Sequence, residues 1–228
     1  MANKKQVARA AAAAAQKAAQ AQRQKVQLTI AAILVVLGVA LCFGVAVFGG
    51  NKDNVQAVPG DLTATHQIQI DVQDYGTITA ELYGNAAPIT VATFVKLVNE
   101  GFYDDLTFHR IISGFMIQGG DPLGNGTGGS DEKIKGEFAA NGWDNPITHE
   151  RGVLSMARSS AYDSASSQFF IMHETSPHLD GSYAAFGRVL TGLDIVDAIC
   201  ANTPVTDGNG TVAKANQPII TSIRVIEK

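Results

Sequence analysis

One arginine lies within a stretch of aromatic and branched apolar residues that otherwise has the composition of a buried β-hairpin. The stretch, residues 108–121, reads FHRIISGFMIQGGD, and the arginine is Arg110. Arginine stays charged and presents a planar fork of N–H donors, so in apolar surroundings it can stabilise a lone pair on a bound molecule. The alternative is a solvated charge that pairs with an acid such as Glu150 or Asp163.

Three other motifs point to different chemistry, and each fails on its context. Residues 124–129, GNGTGG, match G-x-G-x-x-G, but a polar segment follows where a dinucleotide site needs an apolar helix. His173 and His178 lie five residues apart with a proline between them, so one helix could not present both to zinc. Ser155 and Ser167 lack the G-x-S-x-G context of a hydrolase nucleophile. The sequence also shows no plausible arrangement of a histidine as the catalytic partner of either serine. We therefore expect a glycine-rich surface loop and no metal site.

The elements that must position these residues are mainly β-strands. Residues 66–72, 76–83 and 218–226 alternate apolar and polar side chains, which is typical of strands with one buried face. Residues 88–101 follow the helical pattern, with a proline at the first position and a glycine at the end. Residues 193–201 repeat that pattern more weakly. Many short strands with two helices favour a closed barrel or a sandwich with helical plugs.

A long apolar segment precedes this β-rich part. Residues 28–48 are 21 consecutive uncharged positions, long enough as a helix to cross the roughly 30 Å core of a bilayer. We interpret them as a transmembrane helix. The alternatives are a secretory signal that is cleaved and a buried core helix, but a signal normally has a shorter leader. Residues 49–65 are small and polar and are expected to link the span to a domain of residues 66–228.

The charge distribution predicts how this span is oriented. The net charge is −4, yet residues 1–27 hold six of the 17 basic residues and none of the 21 acidic ones. By the positive-inside rule this N-terminus is cytoplasmic and the large domain is extracytoplasmic. A nucleic-acid-binding tail is the competing interpretation, but the segment has no aromatic residues for stacking on bases. The expected location is the cell membrane, with a single pass and no nucleic-acid partner.

Several separated strings carry a resemblance to a known family. They are FHRIISGFMIQGGD at 108–121, GTGG at 126–129, GVLSMA at 152–157, SSQFFI at 166–171, HLDG at 178–181 and FG at 186–187. In this order they resemble the cyclophilin family of peptidyl-prolyl cis/trans isomerases over nearly all of residues 66–228. The resemblance implies a closed eight-stranded antiparallel β-barrel capped by two α-helices, which agrees with the strand count above.

The resemblance also assigns roles to individual residues. It implies that Arg110 is catalytic, assisted by Gln118 and Phe115, and that a groove for proline-containing polypeptides is lined by Phe115, Met116, Gln118, Gly126, Ala157, Arg158, Gln168, Phe170, His178, Leu179 and Tyr183. From composition alone, the apolar members could equally be ordinary core residues. The implied reaction is rotation about an X-Pro bond, which breaks no covalent bond and needs no cofactor.

Some positions depart from the family's pattern. His178 stands where many members have the tryptophan that binds cyclosporin, and Tyr183 stands where many have a histidine. Arg158 and Ser159 replace an asparagine and an alanine. These differences leave weak cyclosporin binding open, and they affect which residue is accepted before proline. The Arg110 motif itself is intact.

Arg110 and Gln118 can line the same groove only if the hairpin departs from regular pairing. A two-residue turn at Ser113-Gly114 would give regular pairing, with Arg110 opposite Ile117 and Gln118 on the other side. Both polar side chains reach one groove only if the hairpin has a bulge or a longer loop. We therefore expect one of these features.

The implied function is isomerisation of prolyl bonds in exported proteins, from a membrane-anchored position. The alternative is a non-catalytic module or chaperone that binds proline-containing segments at the membrane surface. The presence of Arg110 discriminates between them, because binding alone would not need a charged donor at the rotating bond.

Overall fold

The structure is a computed structural model, and it describes residues 62–226. Eight antiparallel strands form a closed barrel in the order β1-β2-β7-β5-β6-β4-β3-β8. The strands are β1 (His66–Val72), β2 (Gly76–Leu82), β3 (Leu106–Ile112), β4 (Met116–Gly119), β5 (Val153–Met156), β6 (Phe169–Met172), β7 (Ala185–Thr191) and β8 (Ile219–Ile226). The helices are α1 (Pro88–Asn99) and α2 (Leu193–Asn202), with short 3-10 turns at Ala139–Asn141, Pro177–Leu179 and Lys214–Asn216. The predicted barrel with two helices is confirmed.

The predicted transmembrane helix at residues 28–48 lies outside the described residues, as do the basic segment 1–27 and most of the linker 49–65. Within residues 62–226, neither helix has the length and apolar character that crossing a bilayer requires. The boundaries of the N-terminal segments therefore stay predictions.

Apolar side chains fill the barrel because they alternate along each strand. In β1, Ile68 and Ile70 point inward, and in β2, Ile78 and Leu82 do the same, all fully buried. The short strands β5 and β6 are buried on both faces. Their outward side chains belong to a second apolar cluster that is covered by loops. This second cluster lies on the outer face of the barrel, where a ligand can reach its edge.

Helix α1 closes the barrel with an aromatic contact. Pro88 occupies the first turn as predicted, and both carboxylate oxygens of Glu137 accept the N–H groups of Ile89 and Thr90, at 2.9 and 2.8 Å. Phe94 points inward, and its ring centroid lies 5.0–5.4 Å from those of three other buried aromatic residues: Tyr103, Phe169 and Phe186. The α1 register thus fixes the position of β6 through the packing of Phe169.

The β3–β4 hairpin has both of the departures expected from the sequence. Its loop contains three residues, 113–115, so that Ile112 pairs with Met116 and Arg110 pairs with Gln118. Gly114 has a φ of +79°, a conformation that glycine adopts without strain. A register shift between Phe108 and Arg110 marks a bulge at the intervening histidine. Directly paired residues project to the same face, so Arg110 and Gln118 share one side.

Replacing Phe94 with alanine tests the role of the α1 contact. We expect the Phe94→Ala variant to lose about 3–5 kcal/mol of unfolding free energy, because it removes a fully buried ring and leaves a cavity. Ile89→Ala on the same helix is the matched control, since Ile89 is 39% exposed. The measurement is urea unfolding of the full-length protein, followed by fluorescence of Trp143. Equal losses in the two variants would contradict this account of the core.

Candidate functional site

The outer face of the barrel carries a cavity of about 220 Å³ beside the β3–β4 hairpin. All of its lining residues were expected from the sequence: Arg110, Phe115, Met116, Gln118, Ala157, Arg158, Phe170, Leu179 and Tyr183. Gly126 and Gln168, which were expected in the same groove, line a neighbouring cavity instead. His178 is exposed and lies against Phe115, with ring centroids 5.7 Å apart. The structure therefore divides the predicted groove into two parts.

Arg110 is held at the edge of the first cavity by neutral acceptors. Its Nε donates to the backbone oxygen of Asn209 at 2.9 Å and its Nη2 donates to Asn209 Oδ1 at 3.2 Å. Its Nη1 lies 3.3 Å from Gln118 Oε1 and 4.0 Å from Met116 Sδ. Burial lowers the pKa of Arg110, and the Tyr183 phenol and the Asp207 carboxylate oppose this shift. The guanidinium is thus oriented on three of its nitrogens, and it forms no ion pair with any residue that the structure describes.

The pairing of Arg110 with an acid, which the sequence left open, does not occur at the two positions considered. Glu150 forms an ion pair with Arg188 on β7. Asp163 accepts hydrogen bonds from the Gly136 N–H at 3.0 Å and from Asn141 Nδ2 at 2.7 Å. Both carboxylates are therefore engaged elsewhere.

Asn209 was missed by the sequence analysis. It lies in a turn whose Asp207 Oδ1 accepts the N–H groups of Asn209 and Thr211, both at 3.0 Å. The turn docks on β3 through a bond from the Ile111 N–H to the Gly210 carbonyl at 2.8 Å. The only local signal is the turn-forming string TDGNGT, which predicts a loop but does not indicate its partner.

Gln118 links Arg110 to the glycine-rich loop at residues 124–129 through a chain of hydrogen bonds. Its Nε2 donates to Gln168 Oε1 at 2.9 Å, and Gln168 Nε2 donates to the carbonyls of Gly128 and Gly126 at 2.6 and 3.2 Å. Because donors and acceptors alternate along the chain from Arg110, both amide orientations are determined by their partners. The loop is also held by Asp121, whose oxygens accept the N–H groups of residues 123, 125 and 126. Burial raises the pKa of the Asp121 carboxyl. The N–H donors lower this pKa by a larger amount, so the net shift is downward.

The apolar floor of the cavity is held from behind by a buried hydrogen-bonded chain. The ring of His149 stacks on Phe170 with centroids 6.1 Å apart. Its Nδ1 lies 2.9 Å from Asp180 Oδ1, and its Nε2 lies 3.0 Å from Ser155 Oγ. Burial lowers the pKa of His149, and the Asp180 carboxylate opposes the shift. The chain orients the His149 ring and therefore supports Phe170.

This chain corrects the statement that no histidine is arranged to serve Ser155. His149 and Asp180 do form such an arrangement, which the sequence could not reveal because Asp180 lies 31 residues from His149. Ser155 is nevertheless fully buried, so a substrate cannot reach its hydroxyl. The geometry therefore indicates a structural role for the chain.

Arg158 forms the ridge between the two cavities and lines both of them. Its guanidinium lies over the rings of Phe138, Tyr162 and Tyr183, 4.6–5.2 Å from their centroids. Its Nε and Nη2 both donate to the Ser182 carbonyl, at 3.0 and 2.8 Å. The ridge is therefore fixed by three rings and a backbone acceptor.

The hairpin tip that carries Phe115 is anchored to α2 by His173, which was also missed as a site residue. His173 Nδ1 accepts the Gly114 N–H at 2.8 Å, and its Nε2 lies 3.2 Å from Asp197 Oδ1. Asp197 in turn receives two bonds from Arg151 Nη2, at 2.8 and 2.9 Å. His173 thus faces the hairpin and α2, whereas His178 stacks on Phe115, so the two histidines have different partners. No local pattern signals these contacts, since Gly114 and His173 are 59 residues apart.

Comparisons with known proteins place this chain beside one family. The model of the family described as cyclophilin type peptidyl-prolyl cis-trans isomerase/CLD matches residues 67–225. Peptidyl-prolyl cis-trans isomerase B of Bacillus subtilis (strain 168) is 54% identical over 123 residues, which cover 54% of this chain and 82% of the relative. A peptidyl-prolyl cis-trans isomerase of Helicobacter pylori (strain J99) is 46% identical over 126 residues, 54% of this chain and 75% of the relative. A solved Cryptosporidium parvum cyclophilin type isomerase, crystallised in the presence of the dipeptide Ala-Pro, has 30% identity and a TM-score of 0.63, and covers 71% of this chain and 99% of that one.

Replacing His173 tests whether it anchors the hairpin tip. We expect His173→Ala to speed hydrogen exchange of the Gly114 amide about fivefold, because a lost hydrogen bond is worth about 1 kcal/mol. His173→Asn is the matched rescue, since its Oδ1 can accept the same N–H. Nuclear magnetic resonance of the full-length protein measures the rates, with the Gly142 amide, bonded to Ala139, as an internal reference. Unchanged Gly114 exchange in His173→Ala would overturn this assignment.

Proposed function

The chain belongs to the cyclophilin-type peptidyl-prolyl cis-trans isomerases, and we propose that Arg110 and the apolar cavity beside it carry out the isomerisation. The observation that carries this proposal is the oriented guanidinium of Arg110 at the edge of a pocket with a buried floor. Met116, Phe170 and Leu179 are each at least 92% buried and provide that floor. A fixed charged donor next to an apolar pocket suits a substrate that has a ring and an acceptor side by side.

The chemistry follows from the electronic structure of the amide. Resonance makes rotation about an X-Pro bond slow, with a barrier of about 18–20 kcal/mol. Rotation by roughly 90° destroys that resonance and returns a lone pair to the proline nitrogen. The twisted nitrogen is then an acceptor that neither planar isomer offers. Arg110 can donate to it, and this interaction stabilises the transition state more than the ground state.

Arg110 alone cannot account for an efficient isomerase. A charge-assisted hydrogen bond contributes about 1.5–3 kcal/mol, whereas an acceleration of about 10⁵ requires roughly 7 kcal/mol. The rest has to come from holding the proline ring while the other side of the bond turns. Phe115, Met116, Phe170 and Leu179 supply the apolar contacts for that grip. Gln118 accepts from Arg110 and lines the same cavity, where its amide can bind the substrate backbone.

Cyclosporin binding is proposed to be weak. His178 occupies the position where many family members have a tryptophan, and here it stacks on Phe115 and is exposed. An imidazole provides less apolar area and a different donor direction from those of an indole. The drug would therefore lose part of its contact area.

The proposed place of action is the outer side of a cell membrane, where the domain would assist the folding of exported proteins. The uncharged segment 28–48 and the six basic residues before it support a single span with a cytoplasmic N-terminus. Slow prolyl isomerisation limits folding wherever a native chain depends on one isomer. A tethered isomerase would meet such chains as they emerge.

Arg110 variants test the catalytic proposal. We expect Arg110→Ala to lower kcat/KM for an Ala-Pro peptide by about 10- to 100-fold, with a substantial loss also in Arg110→Lys, because lysine lacks the fork of donors. Arg224→Ala is the matched control, since it removes the same charge from the β8 surface, where Arg224 pairs with Asp104. A protease-free isomerisation assay on the full-length protein gives the rates.

Two results would change the proposal. Activity of Arg110→Ala within twofold of the wild type would remove Arg110 from the mechanism. Tight binding of the peptide without any turnover in the wild type would favour the binding module instead.

Protease accessibility tests the proposed location. Added to intact cells, a protease should cut between residues 49 and 65 and release a fragment of the mass of the isomerase domain, because that linker lies outside the membrane. A cytoplasmic marker protein must stay uncut in the same sample. A full-length chain that survives until the cells are lysed would refute the extracytoplasmic placement.

A further inference from the structure

A second cavity lies next to the proposed proline pocket. It has a volume of about 400 Å³ and shares Gln118, Ala157 and Arg158 with the smaller one. Its lining also includes Lys133 and four serines, at positions 130, 159, 164 and 166. A substrate that places its proline in the first cavity therefore brings a neighbouring residue to the second.

Among residues 62–226, the lining of this second cavity contains two cations and no carboxylate. Lys133 is exposed and forms no ion pair within residues 62–226. The adjacent Glu132 pairs with Lys96 at 3.3 Å, on the side of a different depression. Asp163 is held by Gly136 and Asn141, as described above. Asp131, two residues from Lys133, lines the same depression as Glu132. None of these three acids lines the wall of the second cavity.

Arg158 contributes a charge that is fixed but not compensated. Its protein acceptors are the backbone carbonyls of Ser182 and Ser159, at 2.8–3.0 Å, and neither carries a net charge. These contacts use three of the five N–H groups of a guanidinium, which leaves two for a ligand. The aromatic rings around it prevent the side chain from swinging away, so a bound anion would not have to order it. Of the serines that line the cavity, Ser130 and Ser164 donate to the carbonyls of Glu132 and Ala161, at 3.3 and 2.6 Å, and the Ser166 hydroxyl can add a neutral donor.

We propose that the second cavity binds an acidic side chain, glutamate or aspartate, close to the proline of the polypeptide substrate. This inference rests on the proposed function and narrows its substrate class. A carboxylate between Lys133 and Arg158 gains from both charges and can accept from the unused N–H groups. A lysine or arginine side chain at the same place is repelled by both. A glutamine has the same shape as glutamate and lacks only the charge.

A peptide scan tests this preference and finds the position of the acidic residue. Glu, Gln or Lys is placed in turn at each of three positions on either side of a fixed Ala-Pro pair, and kcat/KM is measured with the full-length protein. At one position we expect Glu to exceed Gln by about fivefold and Lys to fall below Gln, since an exposed pair is worth up to about that factor. The Glu-to-Gln ratio should decrease at high salt, because the pair is screened.

Two lysine variants provide the matched control. Lys133→Ala should reduce the Glu-to-Gln ratio towards unity, and because the ratio compares two peptides on the same variant, a change in the overall rate cancels. Lys135→Ala removes the same charge two residues away, outside the cavity lining, and should preserve the ratio. Arg158→Gln should also reduce the ratio, whatever it does to the reference rate.

The outcomes separate this inference from the proposed function. Without turnover of the reference peptide by the wild type, the proposed function is wrong. Normal turnover with equal rates for Glu and Gln at all six positions overturns the acidic preference alone. An equal loss of the ratio in Lys133→Ala and Lys135→Ala also overturns it, because the effect would then belong to the overall charge and not to the cavity.

Discussion

The three-residue loop of the β3–β4 hairpin is the constraint on which the site depends. With a loop one residue shorter, Gln118 would face the barrel interior while Arg110 stayed outside, and the two could not share a groove. The bulge at His109 then restores the alternation, because Phe108 and Ile111 both point inward although they are three residues apart. The extra residue on β3 therefore lets Phe108 and Ile111 pack in the core while Arg110 faces the groove.

The groove lies on the outer face because the barrel has no free interior. Its inside is filled by the side chains of every strand and closed by Phe94 from α1. The outward residues of β4 and β6, such as Met116 and Phe170, form a second apolar cluster whose floor is buried and whose edge is open. A polypeptide can lie across such an edge without entering the protein. The His149–Ser155 bond behind Phe170 fixes this floor with polar groups that are paired and hidden from solvent.

The two arginines of the site are held in the same way, by uncharged partners, although the chain has a net negative charge. Arg110 and Arg158 are both held by neutral oxygen acceptors and by contacts with sulfur or aromatic rings. Neutral partners fix the direction of a guanidinium without cancelling its charge. A preorganised charge of this kind needs little rearrangement when an acceptor arrives, which is the condition for electrostatic stabilisation of a transition state. The same condition suits recognition of an anionic side chain.

The sequence was sufficient to predict the strand alternation, the start of α1 at Pro88 and the residue types around Arg110, because these follow from local periodicity and from strings that resemble a family. It also indicated that the hairpin must depart from regular pairing. Three features could be seen only in the folded chain: Asn209 holds Arg110, His173 anchors the hairpin tip, and Arg158 separates the predicted groove into two cavities. The physical reason is distance along the chain: Asn209 lies 99 residues from Arg110 and His173 lies 59 from Gly114. Contacts of that range leave no periodic pattern, since only the closure of the barrel brings those segments together.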